Sequence, residues 1–395
     1  MSEKPTGRVR LVRGREQTLL AGYLWIYAGH VAEVAGDPAP GDLVDVCTHS
    51  GRIVGRGLFN PHSKIRVRLL TFRNEPIDEK FWTARIVSAT ALRTRLVSDT
   101  NAYRLIHGES DLLPGLIVDR YGDVLVMQIL SFGMDRRRER LADLLVQETG
   151  VQAIYLRNDA NSRTLEGLPV EHGFLRGGGA TTIDIHEGRA RFLVDIEHGQ
   201  KTGWFCDQRE NRLAAASLAG GARALEAFCH TGAFGIQAAL HGAASVIGLD
   251  VSRDAVAQAR DHAARNKVEG RCEYREADAF EELRRIERAG DRFDLVILDP
   301  PSFARTKQAV PQALAGYKQI NLRALRLVGP EGFLVSCSCS HHVSEEQFWS
   351  MLQEAAHDAK RQLRLIERRS QARDHPVLAA MPETRYLKCI ITQVV

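Results

Sequence analysis

The sequence predicts an α/β protein whose C-terminal part is a doubly wound parallel sheet with helices on both faces. Strand-like and helix-like segments alternate from about residue 186 onward, as they do in such sheets. An aspartate, a glycine or a cysteine lies at the end of each of these strands or in the turn that follows it. Residues 1–74 instead read as short strands and turns. We therefore expect an N-terminal β-barrel at 1–74, a small α+β domain at 75–185 and the α/β domain at 186–395.

The composition excludes several classes of protein. The 395 residues are 44% hydrophobic and 26% charged, which is ordinary for a soluble protein of two or three domains. Neither an N-terminal apolar segment nor a run of eighteen apolar residues occurs in the sequence, so we expect a cytoplasmic protein without a membrane partner. The seven cysteines have no zinc-ligand spacing, which predicts reduced thiols and no bound metal.

The predicted barrel is basic. Residues 1–74 contain eleven Lys or Arg and six Asp or Glu, against a net charge of +4 for the whole chain. A basic end module suits an anionic polymer such as RNA, although a solvated surface would have the same composition. We take Arg66 and Arg68, on the strand-like segment 64–70, as candidate RNA contacts. In the central domain, the basic run at 136–138 is more typical of a solvated helix face.

Five strands and four helices are predicted for the α/β domain. The strands are Arg223–Phe228, Ser245–Asp250, Arg271–Glu276, Phe293–Leu298 and Gly332–Ser336. The helices are Thr231–His241, Asp254–Asn266, Phe280–Ala289 and Val310–Val328. A further strand is expected near the end of the sequence, after Thr384.

The ends of the first three strands suggest a nucleoside site. Gly232 lies in the turn after the first strand, where a doubly wound sheet binds its ligand, but the turn lacks the glycine pattern of pyrophosphate binding. Asp250 can accept hydrogen bonds from both ribose hydroxyls, and Asp278 can accept one from the exocyclic amine of adenine. Ribose and adenine without pyrophosphate indicate S-adenosylmethionine. Alternatively, each aspartate is a helix N-cap.

An Asp-Pro-Pro-Ser-Phe run at 299–303 follows the fourth strand and can hold a flat heterocycle. The two prolines stiffen the chain, so that Asp299 can bond the edge of a base and Phe303 can stack on a base taken out of its helix. The alternative is an ordinary proline-rich turn with a buried phenylalanine.

Cys339 follows the fifth strand and decides the type of reaction. Carbon 5 of cytosine is a poor nucleophile, but attack of a thiolate on carbon 6 makes carbon 5 reactive towards a methyl sulfonium. A buried structural cysteine is the alternative, and Cys337 on the same side of the strand is a rival nucleophile. His341 and His342 are possible bases, although such histidines are more often exposed loop residues.

These segments resemble class I S-adenosylmethionine-dependent RNA methyltransferases and, more narrowly, the bacterial 23S ribosomal RNA large-subunit cytosine-5 methyltransferase I family. The N-terminal module is similar to a PUA domain, an RNA-binding β-barrel, and the resemblance covers essentially the whole chain. The segments that carry it are Trp25, Asn60–Ser63, Leu113–Asp119, Gly199–Arg209, Phe228–Phe234, Leu249–Ser252, Asp299–Phe303, Gly316–Asn321, Ser338–Ser340 and Asp374–Pro376.

The resemblance implies roles for individual residues. Cys339 matches the catalytic cysteine and Asp299 the aspartate that contacts the base. Many cytosine-5 RNA methyltransferases have a second cysteine after the Pro-Pro pair, where this chain has Ser302, so the group that removes the carbon-5 proton stays unassigned. The cofactor site would consist of Phe228, Thr231, Gly232, Asp250, Asp278, Ala279 and Gln208, and the substrate site of Pro301, Phe303 and Lys307 with Arg66 and Arg68.

The expected partner is large-subunit ribosomal RNA, naked or partly assembled, and the family suggests a homodimer. Two other functions fit parts of the sequence. One is a methyltransferase that acts on a purine nitrogen, because guanine-directed enzymes share the Asp-Pro-Pro-x-Phe segment but have asparagine in place of Cys339. The other is an RNA-binding ribosome assembly factor without catalytic turnover.

Overall fold

A computed structural model describes residues 3–304 and 306–395. The chain divides into two compact units. The first comprises the residues up to Ile185 together with Leu193–Cys206 and Arg373–Thr384, and the second comprises His186–Phe192, Asp207–Ala372 and Arg385–Val395.

The N-terminal part of the first unit is a six-stranded sheet in the order β2-β6-β5-β4-β1-β3. Its pairs are antiparallel except for β1 with β4. Val9, Ile26, Val46 and Val67 point into its core, together with Met381 from the later segment. The elements are β1 (Gly7–Leu11), α1 (Glu16–Leu20), β2 (Trp25–Tyr27), β3 (Val31–Gly36), β4 (Leu43–Cys47), β5 (Ile53–Phe59) and β6 (Ile65–Thr71).

A five-stranded sheet follows in the order β11-β10-β9-β8-β7, with β9 and β10 parallel. The long helix α2 starts at Asp78, whose carboxylate accepts a hydrogen bond from the amide of Phe81 at 3.0 Å. The elements are α2 (Glu79–Leu96), β7 (Ala102–His107), β8 (Leu116–Tyr121), β9 (Val124–Ile129), α3 (Phe132–Asp135), α4 (Arg138–Thr149), β10 (Ala153–Asn158), α5 (Ser162–Leu165) and β11 (Glu171–Arg176). The hairpin of β12 (Thr182–Glu187) and β13 (Ala190–Asp195) comes next.

The second unit is a seven-stranded sheet in the order β16-β15-β14-β17-β18-β20-β19. The five strands from β16 to β18 are parallel, which confirms the predicted parallel sheet, and the last two pairs are antiparallel. The elements are α6 (Arg209–Ala216), β14 (Arg223–Ala227), α7 (Ala233–Leu240), β15 (Ser245–Asp250), α8 (Arg253–Arg265), β16 (Cys272–Glu276), α9 (Ala279–Ala289), β17 (Phe293–Leu298), α10 (Val310–Leu327), β18 (Val328–Ser338), α11 (Glu345–Ala359), β19 (Leu363–Arg369) and β20 (Lys388–Val394).

The core of this unit forms where α9, α10 and α11 pack on one face of the sheet. Leu283, Tyr317, Leu325 and Phe348 are at most 1% exposed within it. From β14 the chain continues to β15 and β16 on one side of it, and it then crosses back to form β17 on the other side. β14 therefore lies at the switch point where such sheets bind ligands. Among the described residues, no helix combines the length and the apolar character needed to span a bilayer.

Candidate active site

The register of the parallel strands brings the predicted site residues to one edge of the sheet. Ala227, the last residue of β14, pairs with Leu249 on one side and with Leu298 on the other. The next residue along each chain segment is therefore level with the others: Phe228 and Asp299 directly follow β14 and β17, and Asp250 is the last residue of β15. This is the position where a doubly wound sheet binds its ligand.

The turn from β14 to α7 is held in a left-handed conformation. Phe228 has φ +63°, His230 has φ +48° and Gly232 has φ +78°. A left-handed backbone costs about 1–2 kcal/mol for a residue with a Cβ, and such residues concentrate at functional sites. A Cβ on Gly232 would also stand 2.6 Å from the ring of Tyr274. Packing against Tyr274 therefore explains why residue 232 is a glycine. A contact between Gly232 and the cofactor stays a prediction.

Asp250 is oriented by the backbone on both sides. One carboxylate oxygen accepts a hydrogen bond from the amide of His230 at 2.8 Å, and the other accepts one from the amide of Ser252 at 2.9 Å. Each oxygen can accept a second bond, so the pair can still receive a ribose diol. The neighbouring Thr231 is buried, and its carbonyl oxygen lies 3.1 Å from Nδ1 of His262, which fixes the turn from below.

Asp278 is the N-cap of α9, because its carboxylate accepts a hydrogen bond from the amide of Glu281 at 3.0 Å. Asp278 therefore has the N-cap role that the sequence offered as the alternative to cofactor binding. Its second carboxylate oxygen can still accept a hydrogen bond from a ligand. Ala279 is buried in the core at the start of the helix. The adjoining ring of Phe280 lies 6.2 Å from that of Phe228 and 6.2 Å from that of Phe303, so apolar rings line this edge.

Glu226 is a buried member of the site that the sequence reading missed. Its carboxylate accepts hydrogen bonds from the amides of Phe234 and Gly235 at 3.2 and 2.9 Å, at the start of α7. Burial raises its pKa to about 8, and the nearby charge of Asp299 acts in the same direction. A single acidic residue inside an otherwise apolar strand was the available signal.

Gln208 lies against Asp299. Its Nε2 donates to Oδ1 of Asp299 at 2.9 Å, while its own Oε1 accepts from Nδ2 of Asn211 at 2.7 Å. Oδ1 of Asn211 in turn accepts from Nε of Arg369 at 3.0 Å. This chain of hydrogen bonds orients the Asp299 carboxylate. The observed role of Gln208 is to orient Asp299. A contact between Gln208 and the cofactor stays a prediction.

The two segments predicted to carry the chemistry are joined by hydroxyl groups. The Ser302 and Ser340 hydroxyls lie 3.1 Å apart, and the Tyr317 hydroxyl lies 2.8 Å from that of Ser340. The ring of Phe303 packs on that of Tyr317 at 4.6 Å between centroids, with 35° between the planes, so one of its faces is covered. Pro301 and Lys307 are exposed near it. Base contacts by these residues stay predictions.

The two candidate nucleophiles differ in environment. Cys337 is fully buried and pairs across the strands with Cys389, and a hydrogen bond to Cys389 together with burial raises its pKa well above the usual value. Cys339 lies beyond the end of β18 and is only half-buried. A reactive cysteine needs access and a thiolate, so the surroundings favour Cys339. His341 is exposed and His342 half-buried in the following turn.

Lys388, at the start of β20, is a second residue that the sequence reading missed. It pairs across the strands with Ser338, and its Nζ donates to the carbonyls of Ser340 at 2.6 Å and Tyr386 at 2.9 Å. Burial lowers its pKa to about 8, while the charge interaction with Cys339 acts in the opposite direction. A lysine at the head of the apolar run 389–391 was the available signal.

The acceptors at this edge fit S-adenosylmethionine. The cofactor offers hydrogen-bond donors from a ribose diol, an adenine amine and a charged amino group, and Asp250, Asp278 and Asp299 supply carboxylates beside apolar rings. Over residues 3–304 and 306–395, no group of three His, Cys, Asp or Glu side chains is arranged to hold a metal ion.

The two arginines predicted to contact RNA lie on β6 of the first unit. Arg68 is 9% exposed, and its guanidinium donates to the buried carboxylate of Glu166 at 2.9 Å. Arg66 is half-buried and donates to the backbone carbonyl of Pro61. Arg68 thus stabilises the fold of its unit through Glu166. An RNA contact by either residue stays a prediction.

Comparisons with known proteins agree with this architecture. Residues 9–72 match a PUA-like domain, and residues 168–389 match an S-adenosylmethionine-dependent methyltransferase family. Proteins named ribosomal RNA large subunit methyltransferase I are 42% identical in Shewanella denitrificans and 39% in Tolumonas auensis, each over 98% of this chain and 99% of the relative.

Solved structures show the same fold. A crystal structure of a methyltransferase complexed with SAH has a TM-score of 0.85 at 20% identity, and an S-adenosylmethionine-dependent methyltransferase from Streptococcus mutans has one of 0.83 at 19%. Both matches cover 98% of this chain and 100% of the other. The predicted fold class and cofactor are confirmed. The chain is an S-adenosylmethionine-dependent methyltransferase and belongs to the ribosomal RNA large subunit methyltransferase I family.

Proposed function

We propose that this enzyme methylates carbon 5 of a cytosine in 23S ribosomal RNA through a covalent adduct between Cys339 and carbon 6 of the base. The observation that carries the proposal is the position of Cys339. Cys339 is partly exposed and directly follows β18, and the Ser302–Ser340 contact at 3.1 Å ties this segment to the run that begins at Asp299. The names of relatives that are 39–42% identical support ribosomal RNA as the substrate.

The thiolate of Cys339 attacks carbon 6 and pushes the ring electrons to carbon 5. The bound cofactor supplies an electrophilic methyl group, which carbon 5 takes up. Loss of the carbon-5 proton to a base then restores the double bond and expels the thiolate. Asp299, held by Gln208, accepts a hydrogen bond from the exocyclic amine of the base. In its protonated form it also donates to the ring nitrogen and so offsets the negative charge that develops during the attack.

Substitution of the two cysteines, one at a time, tests the chemistry. We expect Cys339→Ala to abolish formation of 5-methylcytosine in ribosomal RNA and Cys337→Ala to retain it, because Cys337 is fully buried whereas Cys339 is partly exposed. Mass spectrometry of RNA nucleosides gives the product, and bisulfite sequencing of total RNA from cells with and without the gene gives the position. Full activity of Cys339→Ala, or a methylated purine as the product, would contradict the proposal. Binding of ribosomal RNA without any methylated product would indicate an assembly factor.

RNA recognition is assigned to the basic N-terminal module. Arg8, Arg10 and Lys64 are exposed on or next to its strands, and Arg66 is half-buried beside Lys64. We propose that residues 1–74 bind the RNA backbone, that 75–185 form a connecting domain and that 186–395 catalyse the reaction. Arg66→Glu should weaken RNA binding and reduce its dependence on salt. Arg68→Glu is a poor probe because it would also place two carboxylates together in the buried site of Glu166.

The remaining expectations concern the state of the enzyme and its substrate. We propose that a cytoplasmic homodimer acts on ribosomal RNA that is naked or partly assembled. Methylation assays with purified 23S RNA, with assembly intermediates and with mature subunits would separate these substrates. Sedimentation equilibrium would give the oligomeric state.

A further inference from the structure

We propose that Lys388 is a positioning residue for Cys339: it holds the turn that carries this cysteine and supplies the positive charge beside which the thiolate forms. The inference rests on the proposed function, in which Cys339 is the nucleophile. Lys388 is the first residue of β20, and this strand pairs with β18, which Cys339 directly follows.

The geometry places the ammonium group at the turn. Lys388 pairs with Ser338 across the strands, so its side chain starts level with the end of β18. Its Nζ reaches past that end and donates to the carbonyl of Ser340 at 2.6 Å and to that of Tyr386 at 2.9 Å. Because Ser340 directly follows Cys339, the first of these bonds restrains the peptide next to the thiol. The Ser340 side chain is held separately by Tyr317 at 2.8 Å.

Burial of the Lys388 ammonium group costs free energy, which argues against a purely structural role for this residue. Lys388 is 4% exposed, and the next three residues of β20 are also buried. An uncharged side chain of similar length would avoid the cost of removing an ammonium group from water. Two backbone carbonyls accept hydrogen bonds from two of its three N–H donors, and neither neutralises its charge. The strand therefore retains a buried cation at a specific place, beside Cys339.

The other charged groups near Lys388 do not neutralise its ammonium group. Glu345, at the start of α11, is the nearby carboxylate, but it forms ion pairs with Arg385 and, at 3.5 Å, with Arg368. Arg385 and Glu345 act on Lys388 in opposite directions. Burial lowers the pKa of Lys388 to about 8, so the ammonium form still predominates at pH 7. The proton lost by Cys339 goes to water, and Lys388 stays protonated throughout.

Alkylation of the cysteine in the free enzyme tests the proposal without any methyl transfer. The rate of iodoacetamide modification of Cys339 would be followed against pH by peptide mass spectrometry in wild type, Lys388→Met and Lys388→Arg. Lys318→Met is the matched control, since Lys318 makes only exposed ion pairs with Glu354 and Asp358. Cys272, remote in sequence and half-buried, serves as an internal reference.

We expect Lys388→Met to raise the thiol pKa by about one unit, which lowers the rate below that pKa about tenfold. Lys388→Arg should retain most of the wild-type rate, because the charge is kept. The Lys318→Met profile and the Cys272 profile should not change. A Cys339 profile that is the same in folded Lys388→Met and in wild type would overturn the proposal.

A reciprocal measurement covers the case in which Lys388→Met does not fold. Nuclear magnetic resonance of the lysine side chain gives the pKa of Lys388 in wild type and in Cys339→Ser. Because the interaction with Cys339 raises the pKa of Lys388, that pKa should fall in Cys339→Ser. An unchanged pKa would overturn the proposal. Both measurements are independent of methylation, so they can succeed even if Cys339→Ala proves fully active and the proposed function fails.

Discussion

The side-chain amide of Gln208 donates a hydrogen bond of 2.9 Å to the carboxylate of Asp299. Gln208 immediately precedes α6, whereas Asp299 follows β17, so residues 91 positions apart hold one group in place. A carboxylate that must meet the edge of a base gains from being oriented before the base arrives, because less order is then lost on binding.

Removal of this amide should impair turnover more than cofactor binding. We expect Gln208→Leu to lower kcat about tenfold, since one hydrogen bond to a charged group is worth about 1.5–3 kcal/mol and part of it is recovered by water. Steady-state kinetics with RNA substrate and calorimetry with S-adenosylmethionine would separate the two effects. Gln152→Leu, at an exposed site of the first unit, is the control. A loss confined to cofactor affinity would instead support the predicted cofactor contact of Gln208.

The cofactor should depend on Asp250. We expect Asp250→Ala to weaken S-adenosylmethionine binding at least tenfold and to leave RNA affinity nearly unchanged. The change removes both the acceptors for the ribose and the bonds that hold the amides of His230 and Ser252. Asp254→Ala, at an exposed position in the first turn of α8, should bind the cofactor normally. Equal cofactor affinity of the Asp250→Ala protein, measured by calorimetry, would exclude this site.

Asp278 combines a cap with a predicted adenine contact, and two variants separate them. We expect Asp278→Ala to lower the free energy of unfolding by about 1 kcal/mol through loss of the N-cap of α9. Asp278→Ser retains the cap and should recover that stability, but it lacks the carboxylate and should still bind S-adenosylmethionine weakly. Thermal unfolding and calorimetry give the two quantities. Normal binding by Asp278→Ser would restrict Asp278 to the cap.

Glu226 should make stability depend on pH. Its pKa is raised from 4.5 in an ordinary carboxyl group to about 8 in the folded protein. The folded state then holds a proton that the unfolded state has lost, so its contribution to stability is complete below pH 4.5 and declines as the pH rises through 8. Glu226→Gln cannot ionise, and its stability relative to wild type should increase between pH 5 and pH 9. Parallel curves of melting temperature against pH would refute the assignment.

The buried cysteine should be dispensable for chemistry. We expect Cys337→Ala to keep wild-type kcat and to lose stability by about 1 kcal/mol, because the substitution leaves a small cavity beside Cys389. Methylation kinetics and denaturant unfolding would show both effects. Loss of turnover in a folded Cys337→Ala protein would make Cys337 a participant and weaken the case for Cys339 alone.

The regular part of the fold was predictable from local pattern. The strands that end at Asp250 and Leu298 are mostly apolar and bounded by turns, so the sequence alone locates them. By contrast, β19 (Leu363–Arg369) is a largely exposed edge strand in which four of the seven residues are charged, and such a pattern does not distinguish a strand from a loop. The sequence predicts that β18 starts at Gly332, whereas in the structure it starts at Val328, because Gly329 and Pro330 are residue types that are typical of turns.

The placement of site residues was predictable where one residue type at one strand end suffices, as for Cys339 and Asp250, while their roles in the reaction stay predictions. It was not predictable where the function depends on tertiary pairing. Nothing local to Lys388 shows that its ammonium group reaches the carbonyl of Ser340, and nothing local to Arg68 shows that it is paired with Glu166. A long side chain such as that of lysine or arginine can reach several different partners, and only the folded structure shows which one it binds.

The strand order has a consequence for synthesis of the enzyme. β19 leaves the ribosome before β20, yet it joins the sheet only through β20, which lies between it and β18. Until residues 388–394 have been made, the edge of β18 beside the cysteine turn is open and β19 has no partner strand. The nascent chain therefore completes this part of the sheet late, when insertion of one strand closes the sheet and brings Lys388 to the carbonyl of Ser340 in the same event.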